Sequence, residues 1–175
     1  LQKDVGVVGA KLLYPNDTLQ HGGIILGIGG VASHAHKFFP KDHNGYFGRA
    51  GLKQEFSAVT GACMLVSKSL FIKLGGFNEL DLPIAYNDVD FCLRVIKLGK
   101  KVVWTPFAEL YHHESVSRVN DTKIKNNERF LKEIKYMNTK WGDWIKKDPA
   151  YSPNLSLDSE DFGFAWPKPE LTRYA

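Results

Sequence analysis

The sequence predicts part of an α/β domain: an incomplete mixed sheet with flanking helices and a long amphipathic helix towards the carboxyl end. Three observations carry this. The first half is rich in glycine and β-branched residues. Strand and helix patterns then alternate without completing a βαβ series, and apolar residues from Ile124 to Trp144 recur at helical spacing. At 175 residues, 43% hydrophobic and 24% charged, the chain is large enough to bury a core without staples. Disorder throughout, a collagen and a disulfide scaffold are thereby excluded. No apolar run approaches the ~18 residues that a membrane span needs.

Taken in order, residues 5–8 and 11–13 read as short strands around Gly9, and Pro15-Asn16-Asp17 as a turn. Residues 22–31 mix apolar runs with five glycines, which predicts a strand and then a flexible stretch. The polar, aromatic segment 34–51 has no period and reads as a long loop. Residues 56–66 form the strongest strand candidate; Ser67 then starts a short helix that Gly75-Gly76 ends. Asn87 is expected to cap a second helix, with Val89, Cys92, Val95 and Ile96 on one face and Gly99 closing it. Residues 101–104 are a strand ended by Pro106, and 109–112 another extended piece. Ile124, Leu131, Ile134, Met137, Trp141 and Trp144 then mark the apolar face of the long helix; Lys123, Lys125, Arg129, Lys132, Lys135 and Lys140 mark its other face. The tail after Pro149 reads as extended, packed on the body or partly mobile. The units expected are 1–118, the helix 119–148 and the tail 149–175.

The net charge of +4 is a mild excess that suits phosphate-bearing ligands or an anionic membrane surface and also occurs in proteins that bind neither. Cys63 and Cys92 lie in apolar runs and read as buried free thiols, which points weakly to a reducing compartment.

Two segments can carry chemistry. Asn87-Asp88-Val89-Asp90 puts two carboxylates two residues apart at a helix start, so one can face a pocket while the other serves the helix. An ionised carboxylate is what a general base for an alcohol requires. Equally, Asn87 can cap while Asp90 closes a variant capping box, and taken alone that structural role is favoured. Tyr111-His112-His113-Glu114-Ser115 offers imidazoles for a metal or a phosphate; on a strand the two histidines face opposite ways, so one at most meets a given site. A satisfied, partly buried histidine is the plainer reading. Ser115, Ser117 and Arg118 can hold phosphate oxygens or lie in a surface loop. His34-Ala-His36 would set two imidazoles on one strand face, without a third ligand nearby in sequence. No P-loop and no Gly-x-Ser-x-Gly elbow is present. The basic helix lacks any base-reading module around it, so no nucleic-acid partner is expected; a solvated face, and after it a membrane surface, fits better.

Read together, 59–66 (Val-Thr-Gly-Ala-Cys-Met-Leu-Val), 74–79 (Leu-Gly-Gly-Phe-Asn-Glu), 87–94 (Asn-Asp-Val-Asp-Phe-Cys-Leu-Arg) and His112-His113-Glu114-Ser115 resemble family 2 glycosyltransferases of the GT-A fold. The opening 5–12, Gln20-His21-Gly22-Gly23 and the stretch from Trp141-Gly142-Asp143 to Leu155 fit the same family, in its rhamnosyltransferase-like, O-antigen and cell-wall branch. The resemblance covers nearly the whole chain. It implies a partial GT-A fold and transfer of a sugar, with inversion, from a nucleotide-diphosphate sugar to a hydroxyl of a lipid-linked or glycan acceptor. A carboxylate deprotonates the acceptor, and a divalent metal (Mn or Mg) neutralises the leaving diphosphate. Asp88 and Asp90 are the catalytic candidates it implies: Asp88 matches the base, and Asp90 is the second acid of the motif, orienting the helix. Thr60, Gly61 and Ala62 match the acceptor side, His112 the histidine that in some members ligates metal or touches the diphosphate, and 45–51 a flap.

Asn87 stands where the family usually has Glu. No Asp-x-Asp occurs before Asp88, so the nucleotide-binding, metal-carrying half that the family places first is expected to be missing. The chain is then the carboxyl-terminal, acceptor-binding half, inactive alone and not expected to hold the metal with His112 as its one ligand. The alternatives are a non-catalytic carbohydrate- or partner-binding module of this fold and, less favoured, an unrelated metal hydrolase using Asp88, Asp90 and His112. The expected location is cytoplasmic, with peripheral contact at the inner face of the plasma membrane as an option.

Overall fold

The computed structural model describes residues 2–113 and 128–165. Its centre is a five-stranded mixed sheet built on β1 (Val5–Leu13). Along one edge β1 pairs in parallel with β7 (Lys101–Tyr111), which in turn pairs antiparallel with β5 (Gln54–Glu55). β2 (Leu19–His21) pairs antiparallel with the end of β1, and β6 (Met64–Val66) antiparallel with its beginning. A separate antiparallel pair joins β3 (Ile24–Leu26) to β4 (Ala32–His34). The helices are α1 (Lys68–Lys73), α2 (Asn87–Lys97) and α3 (Glu128–Lys146).

The two short strands expected at the start are one. Gly9 does not interrupt β1, because it serves packing rather than a turn: a Cβ there would lie 2.5 Å from Val59 Cβ. Gly6 likewise makes room for Val95 of α2, whose Cγ1 would lie 2.5 Å from an added Cβ. β7 also runs through the expected break at Pro106. Its register on β1 jumps from Ala10↔Thr105 to Lys11↔Glu109, so residues 106–108 bulge out of the ladder. Proline has no N–H to give a ladder, and a bulge is where a strand tolerates it.

The strand expected over 56–66 shrinks to β6. Phe56, Ala58 and Val59 are buried, yet they are held by single bridges, Phe56 N–H to Val102 O and Ala58 O from Ile24 N–H. The Thr60 hydroxyl accepts from Ala62 N–H (3.3 Å) and starts a 3-10 turn, Gly61–Cys63, before β6. α1 begins as read, with Ser67 Oγ accepting from Leu70 N–H, and ends at Gly75 and Gly76, both at positive φ (76° and 69°). The cap of α2 is Tyr86, held left-handed at φ 60°; Asn87 is the first helical residue.

α3 buries Glu133, Met137, Trp141 and Ile145, a seam of steps of four. Leu131, expected on that face, is 54% exposed. Lys123, Ile124, Lys125, Glu114, Ser115, Ser117 and Arg118 lie outside the described residues. The tail packs on the body: the buried Asp148 carboxylate accepts from Leu26 N–H, Ala150 N–H and the Ser57 hydroxyl, and Phe162 stacks on His36. Burial raises the Asp148 carboxyl above its ordinary range, while these three hydrogen bonds oppose the rise. A single apolar cluster joins Val7, Trp104, Phe91, Met137, Trp141, Leu155 and Phe162. Within it the Trp104 indole N–H donates to Ala10 O (3.1 Å).

Candidate functional site

A cleft of about 630 Å³ opens where the Gly61–Cys63 turn, the start of α2 and the end of β7 meet. Asp88 and the three small residues Thr60, Gly61 and Ala62 line it; so do Gln20, His34, His112 and His113, with Phe77, Ile84 and Phe130 as an apolar wall. Asp88 is half-buried. Its Oδ2 accepts from Gly61 N–H and its Oδ1 from Val89 N–H, both at 2.8 Å. A Cβ on Gly61 would stand 3.3 Å from Asp88 Cβ, tighter than ordinary contact, so glycine there lets the turn come up to the carboxylate. The position at the head of α2 puts this negative charge at the favourable end of the helix dipole.

Asp90, the second catalytic candidate, does not line this cleft. Its side chain is fully buried and is the hub of an α2–α3 clamp: Oδ1 accepts from Lys140 Nζ (2.8 Å) and Trp141 Nε1 (2.9 Å), Oδ2 from Arg94 Nε (2.8 Å). Arg94 in turn donates to the carbonyls of Leu74 and Gly76, the end of α1. The capping-box role for Asn87 and Asp90 is therefore corrected. The one-residue gap that separates the two carboxylates sends Asp88 to the cleft and Asp90 to the core.

His112 Nδ1 lies 2.7 Å from Gln20 Oε1, and the Gln20 amide NH₂ donates to the His112 carbonyl (3.4 Å). The network thus assigns a ring proton to Nδ1, so that in the neutral ring the lone pair is at Nε2. His112 and His113 both border the cleft, contrary to the expectation of opposite faces, because β7 ends at Tyr111 and strand alternation no longer applies. The paired imidazoles expected of His34 and His36 also part. β4 ends at His34, which meets His21 (Nδ1 to Nδ1, 3.0 Å), whereas His36 turns left-handed (φ 57°) into the core beside Phe39 and Phe162. The expected flap, 45–51, holds a 3-10 turn, Tyr46–Gly51, that packs on Phe162 through Tyr46 and does not border the cleft.

Sequence reasoning missed Gln20, His21 and His34 as a group. The available signal was the polar Gln20-His21 pair between Leu19 and the run Ile24–Leu26, since a buried polar pair needs partners. Burial, and after it the neighbouring His34, holds the His21 imidazole well below its ordinary range; burial, then Glu133, raises the Tyr86 phenol. Among the described residues no Lys or Arg lines the cleft, and no three His, Cys, Asp or Glu converge to hold a metal ion. With His112 able to bring one ligand at most, the described residues do not fit a metal centre.

No protein-family model matches the chain. It is 47% identical over 164 residues to the uncharacterized protein y4gI of Sinorhizobium fredii, covering 94% of this chain and 18% of that protein. It is 36% identical over 163 residues to the O-antigen biosynthesis protein RfbC of Myxococcus xanthus, covering 91% of this chain and 12% of that one. A shorter match, 38% over 63 residues, covers 36% of this chain and 20% of the N-acetylglucosaminyl-diphospho-decaprenol L-rhamnosyltransferase of Mycobacterium tuberculosis. The chain thus spans a fifth or less of each of these relatives.

Proposed function

We propose that this chain is the acceptor-binding, carboxyl-terminal part of an inverting glycosyltransferase of the GT-A fold, working in bacterial surface-polysaccharide or cell-wall glycan synthesis. Similarity to proteins named for O-antigen biosynthesis and for rhamnosyl transfer supports the class. The observation that carries the site is Asp88, at the head of α2 in an open cleft between the small residues 60–62 and His112.

In this reading an acceptor hydroxyl enters beside Asp88. The carboxylate takes its proton as the hydroxyl oxygen attacks the anomeric carbon of a nucleotide-diphosphate sugar, on the side opposite the diphosphate. The bond to the diphosphate breaks and the configuration inverts. Each carboxylate oxygen accepts one amide hydrogen and keeps a second lone pair for the proton. The two amides fix the carboxylate's rotation, and such a base contributes typically ~10²–10⁴-fold in rate. A divalent metal, implied by the resemblance, would find His112 Nε2 as its one ligand here, and no step is assigned to it. The acceptor is a lipid-linked sugar or a glycan. A cytoplasmic enzyme that visits the inner face of the plasma membrane fits, and among the described residues no helix is long and apolar enough to cross a membrane.

A second reading, a non-catalytic carbohydrate-binding module, is favoured by the two amides that occupy Asp88 and by Asn87 in the motif. One experiment separates the two. The intact parent protein is assayed for product against a panel of nucleotide sugars, with and without Asp88→Asn. Loss of about 10²-fold or more in turnover, with nucleotide-sugar binding retained, supports the base. Near-full activity of Asp88→Asn removes it.

A further inference from the structure

Besides His112 and His113, the cleft wall carries the imidazole of His34, and a histidine is buried behind it. His21 is fully buried on β2. Its Nε2 faces the backbone N–H of Thr60 at 3.3 Å. A backbone amide can only donate, so Nε2 of His21 is the acceptor and carries no proton. The proton of the neutral ring is then on Nδ1. Nδ1 of His21 lies 3.0 Å from Nδ1 of His34, with the two rings nearly perpendicular at 82°. His34 Nδ1 must accept, and the His34 proton is left on Nε2. A proton on both Nδ1 atoms would set two N–H groups against each other across that 3.0 Å.

We infer that His21 is a positioning residue that fixes His34, on the wall of the cleft, as a neutral imidazole with its proton on Nε2. The chain of donors runs from Thr60 N–H through His21 to His34. It starts at the same 60–62 segment whose next amide, Gly61 N–H, holds Asp88. Gln20 and His21, adjacent on β2, thus set two of the three cleft imidazoles, those of His112 and His34, in opposite senses. In their neutral forms His112 carries its lone pair at Nε2 and His34 its proton there. The protonation state of His34 does not rest on the acceptor-cleft reading above.

The test reads the rings directly. Long-range ¹H–¹⁵N correlation spectra of the ¹⁵N-labelled protein at pH 7 report which nitrogen of each histidine is protonated. The expected result is Nδ1–H for His21 and Nε2–H for His34. His21→Gln keeps an acceptor for Thr60 N–H and a donor for His34, and should preserve the His34 pattern. His21→Leu removes both, and His34 should then populate both tautomers. A wild-type His34 protonated at Nδ1, or charged at pH 7, overturns the inference; so does a His34 pattern unchanged in His21→Leu. Should His21→Leu fail to fold, the wild-type and His21→Gln spectra still decide. Turnover is not measured, so this result is independent of the Asp88→Asn assay.

Discussion

Lowering the pH from 7 to 4 should cost this protein about 3 kcal/mol through His36 alone. The ring is fully buried, neither nitrogen has a hydrogen-bond partner among the described residues, and Phe162 stacks on it at 4.5 Å. Burial, then the positive charge of Arg49 and the nearby His43, lowers its pKa from 6.5 to about 4. As pH falls through 6.5 the unfolded chain takes up a proton that the folded one refuses. The stabilisation is therefore complete above 6.5, falls by up to ~1.4 kcal/mol per pH unit, and is gone near 4. Against a typical total of ~5–15 kcal/mol this is a large part. His21 titrates in the same sense, so the wild-type slope contains both rings. His36→Asn isolates one of them, since asparagine tolerates the left-handed backbone found there (φ 57°) and does not titrate. Urea unfolding of both proteins at half-unit steps from pH 4 to 7.5 gives the slopes. The variant is expected to be less stable throughout, with a shallower slope between 4 and 6.5 by about one proton. Parallel curves over that interval would show that His36 is not buried neutral.

Asp90→Ala should lose about 3–5 kcal/mol in the same unfolding assay, because it strands Lys140 and the Arg94 guanidinium at a buried ion-pair hub. A loss below 1 kcal/mol would mean that the α2–α3 clamp is not tight. Gly23→Ala should cost more than about 1 kcal/mol, and a soluble, fully stable variant would contradict the packing: φ is +99° and a Cβ would fall 2.3 Å from the Phe56 ring. In native protein, a thiol reagent should label Cys63, which is half-buried, and spare Cys92, which is fully buried with its thiol held upwards in pKa by that burial. Rapid labelling of both would place Cys92 nearer the surface than its contact with Val59 O allows.

Local chemistry was legible wherever a residue acts on its own neighbours. Ser67 announces α1 and Gly75-Gly76 end it; 3.6-residue periodicity announces α3; and the Asn87–Asp90 motif announces a carboxylate at a helix start. What a residue does across the fold was not legible. Glycine at position 9 reads as a break in a linear sequence and is in fact a socket for Val59; Pro106 reads as a strand end and sits in a bulge. Asp88 and Asp90 are chemically identical and two residues apart. Which one meets solvent is set by α3, which brings Lys140 and Trp141 to Asp90 from some 50 residues away and, among the described residues, brings no hydrogen-bond partner to Asp88. Likewise His21, His34 and Thr60 meet only because β2, β4 and the 60–62 turn are folded together, and no spacing encodes that. Sequence periodicity records which face of an element is apolar, because that is a property of its own side chains. Partnership between polar groups far apart in the chain is fixed by packing, and it is packing that assigned each histidine and each carboxylate here its place.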